Sequence, residues 1–305
     1  MRIVVFGPEK RVGAWVGDDI IDLNGADGRI PSSLIDFIEA GPSALERAQR
    51  AIDQASRPPD GAVQRASGVK IHAPWPGRRI MMAGANFAAH AMGMDVGAGA
   101  TIQDVVARIR AMGMRGFWKV PIHATGPDEE IAKPKRTKYM DYEGEPVIVL
   151  GKRIKDARAA DIGSVVWGVT LTNDLCIRDQ GGNPGARFAF DKNFDGSFTL
   201  GPCIVVGGGI DFQDLPVQTR VNGEIRQDFS SKDMIFSFGE MLEYASRDFA
   251  FYPGDIISGG TGAGTAADST PRGPDGTRST DRFLKAGDVV EVSSPAIGTL
   301  RNRII

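Results

Sequence analysis

The sequence predicts an α+β fold that is mainly β, and three observations support this prediction. Short runs of β-branched and other apolar residues outnumber helical patterns, which argues against alternating βαβ units. Glycine accounts for 39 of 305 residues and follows no fixed period, which is typical of many turns and close backbone approaches. Hydrophobic residues make up 42% and charged residues 24%, a globular composition that excludes disorder and fibres.

Residues 1–70 are predicted to form a small N-terminal α+β domain. Its first part is predicted to be a meander whose strands lie at 3–6, 12–16 and 20–23. A helix capped by Ser33 is expected to end at Gly41, and a more polar helix follows over 43–55. The Pro- and Gly-rich stretch 57–68 predicts a linker.

Residues 71–305 are predicted to form the larger domain. An apolar run at 79–83 opens it, and a segment at about 90–117, where glycines flank a helical pattern, predicts a hinged lid. The rest is mostly strands, predicted at 147–150, 165–172, 203–206, 217–222, 255–258 and 289–292. One helix interrupts them, with an apolar face formed by Phe238, Met241, Leu242 and Ala245.

Charge and cysteine content exclude several classes of protein. The formal net charge of −2 argues against nucleic-acid binding, which needs a clustered basic surface. Cys176 and Cys203 are too few and too far apart for a disulfide scaffold or a structural zinc site. We see neither a membrane span nor the apolar core of a signal peptide, so we expect a cytoplasmic protein without a membrane partner.

The segment Asp141-Tyr142-Glu143-Gly144-Glu145 is the strongest chemical signal. Side chains alternate along a strand, so Glu143 and Glu145 are predicted to point to one face. Two carboxylates this close suit a hard divalent cation with oxygen ligands, such as Mg²⁺, Mn²⁺ or Ca²⁺. A lone Glu-Gly-Glu is more often a solvated edge, so the rest of the sequence has to decide between the two interpretations.

Two further residues bear on that choice. Asp174 follows a long apolar strand, where a charged residue either emerges into solvent or lines a cleft. Lys192 lies before Asn193 and Phe194 and could neutralise negative charge on a substrate oxygen, although an isolated loop lysine is usually a surface residue. Residue types alone leave both alternatives open.

From about Arg79 to the C-terminus, the sequence resembles the fumarylacetoacetate hydrolase family. The motifs that carry the resemblance are Glu143-Gly144-Glu145, Asp174, Arg178-Asp179, Lys192, Leu200-Gly201-Pro202, Val221-Asn222-Gly223-Glu224, Gln227, Asp233-Met234-Ile235-Phe236, Pro253-Gly254-Asp255, Gly260-Thr261, Gly287-Asp288 and Gly298-Thr299-Leu300. A dozen spaced motifs in the right order are highly specific for membership of a family.

The resemblance implies a mixed β-roll catalytic domain behind the small N-terminal domain, and a homodimer. It implies Mg²⁺ or Mn²⁺, with Ca²⁺ as a possible occupant, held by Glu143, Glu145 and Asp174. The activity it favours is hydrolysis of a C–C bond in a 1,3-diketo acid such as an acylpyruvate, through a metal-bound enolate. The alternatives are isomerisation or decarboxylation of a 2-oxo acid at the same site, and a non-catalytic relative that binds a metal and a keto acid.

The resemblance also implies roles for individual residues. His90 matches the family's catalytic histidine, which activates water as a base, and Lys192 would lie where negative charge develops. The substrate-binding positions are Arg178, Gln180, Gly260 and Thr261, of which Thr261 would offer a hydroxyl and an amide to a carboxylate. The family's glutamine would align with Gly181, so Gln180 lies one position early.

One departure from the family concerns the base. Many relatives carry a glutamate three residues after the histidine, where this sequence has Gly93. We therefore expect another acid, such as Asp95 or Glu129, to be the partner of His90, or water activation to be weak. Hydrolysis is accordingly less secure than metal binding.

The run 262–267 imitates a dinucleotide-binding fingerprint. Asp268 to Pro274 cannot open the helix that such a fingerprint requires, so a nucleotide site is excluded.

Overall fold

The computed structural model describes residues 1–54, 61–96, 99–179, 188–207, 209–274 and 277–305. Strands outnumber helices among them, and the α+β, mainly β class is confirmed. No helix within these ranges is both long and apolar enough to cross a membrane. The free thiols of Cys176 and Cys203 are both buried.

The N-terminal part forms a meander followed by helices. Its elements are β1 (Arg2–Phe6), β2 (Arg11–Val16), β3 (Asp19–Asp22), α1 (Leu23–Ala26), α2 (Leu34–Glu39), α3 (Gly41–Asp53) and β4 (Val63–Arg65). Helix α2 begins where predicted, because the Ser33 side chain accepts a hydrogen bond from the backbone N–H of Asp36. Strand β4 corrects the linker prediction, since part of 57–68 pairs with β3.

The remaining elements include all the strands predicted after residue 70, together with several strands and short helices that were not predicted. They are β5 (Ile71–His72), β6 (Ile80–Gly84), α4 (Ala88–Ala91), α5 (Ile102–Met112), β7 (Arg115–Lys119), β8 (Glu130–Ile131), β9 (Met140–Asp141), β10 (Gly144–Leu150), α6 (Ile162–Val165), β11 (Val166–Asn173), β12 (Cys176–Ile177), α7 (Phe188–Asp191), β13 (Gly201–Val206), β14 (Pro216–Val221), β15 (Glu224–Ser230), α8 (Phe238–Ser246), β16 (Ile256–Ser258), β17 (Val289–Ser294) and β18 (Gly298–Ile304). The strands that were not predicted are β5, β7, β8, β9, β12, β15 and β18. Of these, β15 had a local signal, because Asn222 and Gly223, both at positive φ, are the turn pair typical of a hairpin.

The strands form one large mixed sheet and two smaller sheets. The large sheet has the order β4-β3-β2-β1-β13-β11-β10-β16-β6-β7, with β5 also paired to β1. The five-stranded sheet has the order β15-β14-β17-β18-β8, and β9 pairs with β12. Because β1 pairs with β13, the large sheet is continuous across residue 70, and the predicted domain boundary stays a prediction.

The central strands of the large sheet are buried on both faces. In β1, Ile3 and Val5 belong to one hydrophobic cluster, whereas Val4 and Phe6 belong to another. All seven residues of β10 are buried. Polar side chains at the ends of these central strands are therefore enclosed by protein on both sides.

The segment predicted as a lid contains several elements. After α4 the chain makes a π-helical turn, Met92–Val96, and continues through α5 into β7. Val105 and Ile109 of α5 pack against Ala88 and Ala91 of α4. The last residues of the segment, from Arg115, lie in the large sheet through pairing with β6, and movement of the rest stays a prediction.

Candidate functional site

Glu143, Glu145 and Asp174 form a buried acidic cluster. Each offers a carboxylate oxygen, and these oxygens lie within 4.8 Å of one another. The pairing of β10 with β11 places Gly144 opposite Asn173 and extends beyond the strands, where the Asp174 N–H donates to the Glu143 carbonyl at 2.8 Å. The sheet register therefore brings together the three residues that the resemblance assigned to a metal.

The position between the two glutamates, Gly144, has no room for a side chain. A Cβ at this position would lie 2.2 Å from the Thr219 hydroxyl and 3.1 Å from a methyl group of Val292. Thr219 and Val292 belong to β14 and β17, so the smaller sheet packs directly against this strand. The glycine allows that approach while both glutamates face the other side.

Three cationic side chains surround the acidic cluster. Lys192 Nζ donates to Asp174 Oδ2 at 2.7 Å and makes a very short contact with Glu143. Lys119 Nζ lies 2.6 Å from Asp174 Oδ1. Arg178 contacts Glu143 and, at 3.0 Å, Asp141 Oδ2. Ion pairing of this density is expected only where buried charges compensate one another.

The environment shifts the pKa values of the carboxylates in opposite directions. Burial alone would raise the pKa of Glu143, but Lys192 and Arg178, with a smaller contribution from His90, hold it well below its usual range. Burial and the charges of Asp174 and Glu143 raise the pKa of Glu145 well above its usual range. The Glu145 carboxylate has the neutral hydroxyl of Ser258 as a hydrogen-bond donor.

The donor set fits a hard divalent cation. Its ligand atoms are all carboxylate oxygens, they are buried, and they converge. Among the described residues, the site contains four buried carboxylates, those of the acidic cluster and that of Asp141. Three cations face them, Lys119, Arg178 and Lys192. A cation held by Glu143, Glu145 and Asp174 would remove this excess negative charge and the mutual repulsion that raises the pKa of Glu145.

Comparison with known proteins agrees with this geometry. The family described as fumarylacetoacetate (FAA) hydrolase, C-terminal, matches residues 79–305, a range that contains the whole acidic cluster. The chain belongs to the fumarylacetoacetate hydrolase family. The resemblance seen in the sequence motifs is thus confirmed, and the chain is an enzyme of this superfamily.

Individual relatives have different activities in their names. The chain is 33% identical to oxaloacetate tautomerase YisK of Bacillus subtilis (strain 168) over 307 residues, which cover 96% of this chain and 95% of that protein. It is 27% identical, with a TM-score of 0.74, to a fumarylacetoacetate hydrolase of psychrophilic Exiguobacterium antarcticum, covering 100% and 99% of the two chains. Maleylpyruvate hydrolase of Sphingobium sp. SYK-6, solved with manganese(II) and pyruvate, is 22% identical with a TM-score of 0.74 over 100% of this chain and 99% of that chain, and it shows the shared fold.

His90, the family's catalytic histidine position, has an acidic partner that the sequence analysis did not name. Its Nδ1 lies 2.7 Å from Oδ2 of Asp268, and both side chains are nearly buried. The prediction of Glu129 as that partner is wrong, because Glu129 pairs with Lys70 at 2.8 Å. The side chain of the alternative, Asp95, lies outside the described residues, and Nδ1 of His90 has Asp268 as its partner.

The predicted substrate-binding residues differ in the contacts that their polar groups already make. Arg178 contacts the acidic cluster directly. The hydroxyl of Thr261 donates to the carbonyl of Gly144 at 3.0 Å and accepts from Gln227 at 2.7 Å, so its proton is already committed. Gly260, at φ +86°, precedes it in the same turn. Gln180 lies outside the described residues.

Sequence reasoning missed Lys119 and Asp268. Lys119 ends strand β7, and its buried ammonium also donates to the carbonyl of Ser197 at 2.9 Å. Because β7 is exposed at its start and only partly buried at Phe117 and Trp118, the sequence offered no clear signal for a buried lysine. Asp268 lies 178 residues from His90 and had no local signal.

The glycines of the run 262–267 have packing roles. A Cβ at Gly264 would lie 1.8 Å from the carbonyl oxygen of Arg226, and one at Gly262 would lie 2.4 Å from the ring of Phe229. These glycines let the loop pass close to β15. The exclusion of a dinucleotide fingerprint therefore agrees with the structure, in which no helix follows the run among the described residues up to 274.

Proposed function

We propose that the chain catalyses proton transfer in a small 2-oxo acid, as a divalent-metal-dependent keto–enol tautomerase acting on oxaloacetate or a similar 2-oxo dicarboxylate. The observation that carries the proposal is the combination, in one buried region, of an oxygen-only ligand set with a histidine whose Nδ1 is held by a carboxylate. The name of the relative from Bacillus subtilis supports the same reaction.

A tautomerase has to stabilise an enolate and move one proton between carbon and oxygen. Mg²⁺ or Mn²⁺, when bound by the acidic cluster, would supply Lewis-acid polarisation of the 2-oxo acid. Lys192 and Arg178 place positive charge beside the cluster, where negative charge develops on the substrate oxygens. In the enol-to-keto direction the enol oxygen loses a proton and C3 gains one, and the keto-to-enol direction is the reverse. His90, through Nε2, would carry this proton between the two atoms.

Hydrolysis of an acylpyruvate is the second candidate, favoured by one specific observation. The His90–Asp268 pair supplies the oriented base that the Gly93 departure had put in doubt. Hydrolysis, however, also needs an attacking water at a second carbonyl. Tautomerisation needs only the proton transfer, so the described groups account for it more completely.

We also propose that the chain acts as a homodimer. Val120, Ile122 and Phe190 are large apolar residues with exposed fractions of 71%, 95% and 70%. They lie close together, because Asn193, near Phe190, accepts a hydrogen bond from the N–H of Val120 at 2.8 Å. Light scattering after size exclusion should give about twice the mass of one chain, and Ile122→Asp should shift it toward the monomer.

The test of the reaction uses enolic oxaloacetate and follows the loss of enol absorbance with Mg²⁺ or Mn²⁺, with and without EDTA. A coupled assay detects pyruvate in parallel, from oxaloacetate and from acylpyruvates. We expect metal-dependent loss of enol without pyruvate, beyond the rate given by the metal alone or by the Glu145→Gln protein. His90→Ala should remove most of this activity.

Other outcomes overturn the proposal. Pyruvate with a second carboxylic acid from an acylpyruvate, and no tautomerisation, would establish the hydrolase. Pyruvate from oxaloacetate alone would establish a decarboxylase. Silence toward all of these compounds, in protein shown to bind the metal, would favour a non-catalytic binding role.

A further inference from the structure

We propose that Asp268 is the positioning residue for His90, and that Gly93 is the residue that makes room for it. This inference rests on the proposed function only in its effect on turnover. The pairing itself can be tested without any substrate. It joins two segments that the sequence keeps far apart, the α4 turn and the loop that follows Gly260-Thr261.

The Asp268 carboxylate is fixed by several donors. The Gly264 N–H lies 3.1 Å from both oxygens, and the Ser269 hydroxyl donates to Oδ1 at 2.9 Å. Both donors use the Asp268 oxygens as acceptors, and a carboxylate offers only acceptor positions. In the proposed arrangement the proton of the His90–Asp268 hydrogen bond therefore belongs to Nδ1 of His90, and Nε2 is the nitrogen left to take a proton from the substrate.

Gly93 fits the same arrangement sterically. A Cβ at position 93 would lie 2.6 Å from both Cβ and the carbonyl oxygen of Asp268. No side chain can occupy this position unless the Asp268 loop moves, because the carbonyl oxygen belongs to the backbone. A side chain at position 93, such as the glutamate of many relatives, and the present path of the Asp268 loop are thus mutually exclusive.

The loop is also tied to the acidic cluster. The N–H groups of Ala266 and Ala267 donate to the Asp141 carboxylate at 2.7 and 3.2 Å, and Arg178 joins Asp141 to Glu143. One loop therefore connects the position of the base to the position of the metal ligands. When His90 becomes protonated, its positive charge faces the Asp268 carboxylate, which stabilises the imidazolium without itself taking the proton.

Nitrogen-15 NMR of the histidine rings tests the pairing directly. The chain has three histidines, so the His90 signals can be assigned by comparison with His90→Ala. We expect wild-type His90 to be the Nδ1–H tautomer. Asp268→Asn should favour the Nε2–H tautomer, because the amide can donate to Nδ1. Wild-type His90 in the Nε2–H form would overturn the proposal, and this measurement needs no variant of Asp268.

Kinetics give the second readout. Asp268→Asn should lower kcat on the order of 10²-fold and alter the pH profile, with little change in KM or metal affinity. Gly93→Ala should give a similar loss by displacing the loop. The matched controls, Asp228→Asn and Gly163→Ala, alter an exposed carboxylate and a glycine with open space around its Cβ position. Unchanged kcat and pH profile in folded Asp268→Asn would refute the positioning role.

The two arms separate this inference from the proposed function. If the wild-type protein converts no 2-oxo acid, the proposed function fails, while the tautomer measurement still decides the pairing. If turnover is confirmed, but Asp268→Asn leaves both the His90 tautomer and kcat unchanged, the pairing fails and the proposed function stands.

Discussion

The acidic cluster and the His90–Asp268 pair belong to one site but are built differently. Glu143 and Glu145 are two residues apart in the chain, and the β10–β11 register places Asp174 beside them. The pair instead joins a four-residue helix to a loop 178 residues away. Sheet hydrogen bonding positions the acidic cluster collectively, whereas the position of His90 depends on a few individual contacts.

Glu145→Gln should have the largest effect, and it tests the acidic cluster, which the sheet positions. The substitution keeps the side-chain volume but removes the negative charge from a ligand position, so we expect loss of divalent-metal binding. Turnover should fall by more than about 10³-fold, since metal ions supply several kcal/mol of transition-state stabilisation. Calorimetric titration with Mn²⁺ and the enol assay measure the two effects.

The control for this prediction is Glu46→Gln on an exposed face of α3. It removes the same charge far from the strands that carry the cluster. Normal metal affinity and turnover in Glu145→Gln would mean that the cluster is a structural ion network. The His90–Asp268 pair would then have to account for the chemistry alone.

The sequence predicted the parts of the molecule that local patterns determine. Alternation along a strand placed Glu143 and Glu145 on one face, and the strand before Asp174 was recognisable from its apolar residues. The role of these residues came from the resemblance, because a lone Glu-Gly-Glu is ambiguous. Strand β15 could also have been found, since Asn222-Gly223 is a local hairpin signal.

Contacts between distant segments could not be predicted in the same way. Asp268 had no neighbour in the sequence that marked it as the partner of a histidine. The signal was indirect, a glycine at position 93 whose missing side chain leaves space for another group. Lys119 was similar, because its partners, Asp174 and the carbonyl of Ser197, follow it by more than fifty residues.

Lys119→Met should have the next largest effect, on stability. The Lys119 side chain is completely buried, pairs with Asp174 and donates to backbone carbonyls, so its removal leaves buried acceptors without a donor. Breaking a buried ion pair by removing one partner costs about 3–5 kcal/mol, and the lower end is expected because Lys192 still pairs with Asp174. Urea denaturation of the metal-free protein measures the change in the free energy of unfolding.

Lys135→Met, at an exposed position, provides the control for removing a lysine. It should leave the free energy of unfolding nearly unchanged. A loss below about 1 kcal/mol in Lys119→Met, within the range of ordinary surface changes and small rearrangements, would show that the cluster does not depend on this lysine. The sheet register alone would then be sufficient to hold the acidic cluster.

Tyr142→Phe should have the smallest effect and tests the connection between the two regions. Burial raises the pKa of Tyr142 to about 12, so the phenol is neutral, and it donates to the carbonyl of Gly264 at 3.0 Å. Removing this bond should cost about 1 kcal/mol of unfolding free energy. Because Gly264 also donates to Asp268, we expect a drop of a few-fold in kcat, with metal affinity unchanged. Tyr244→Phe, at an exposed position, is the control. If metal affinity in Tyr142→Phe falls by the same factor as kcat, the loop and the acidic cluster form one unit whose parts cannot be altered separately.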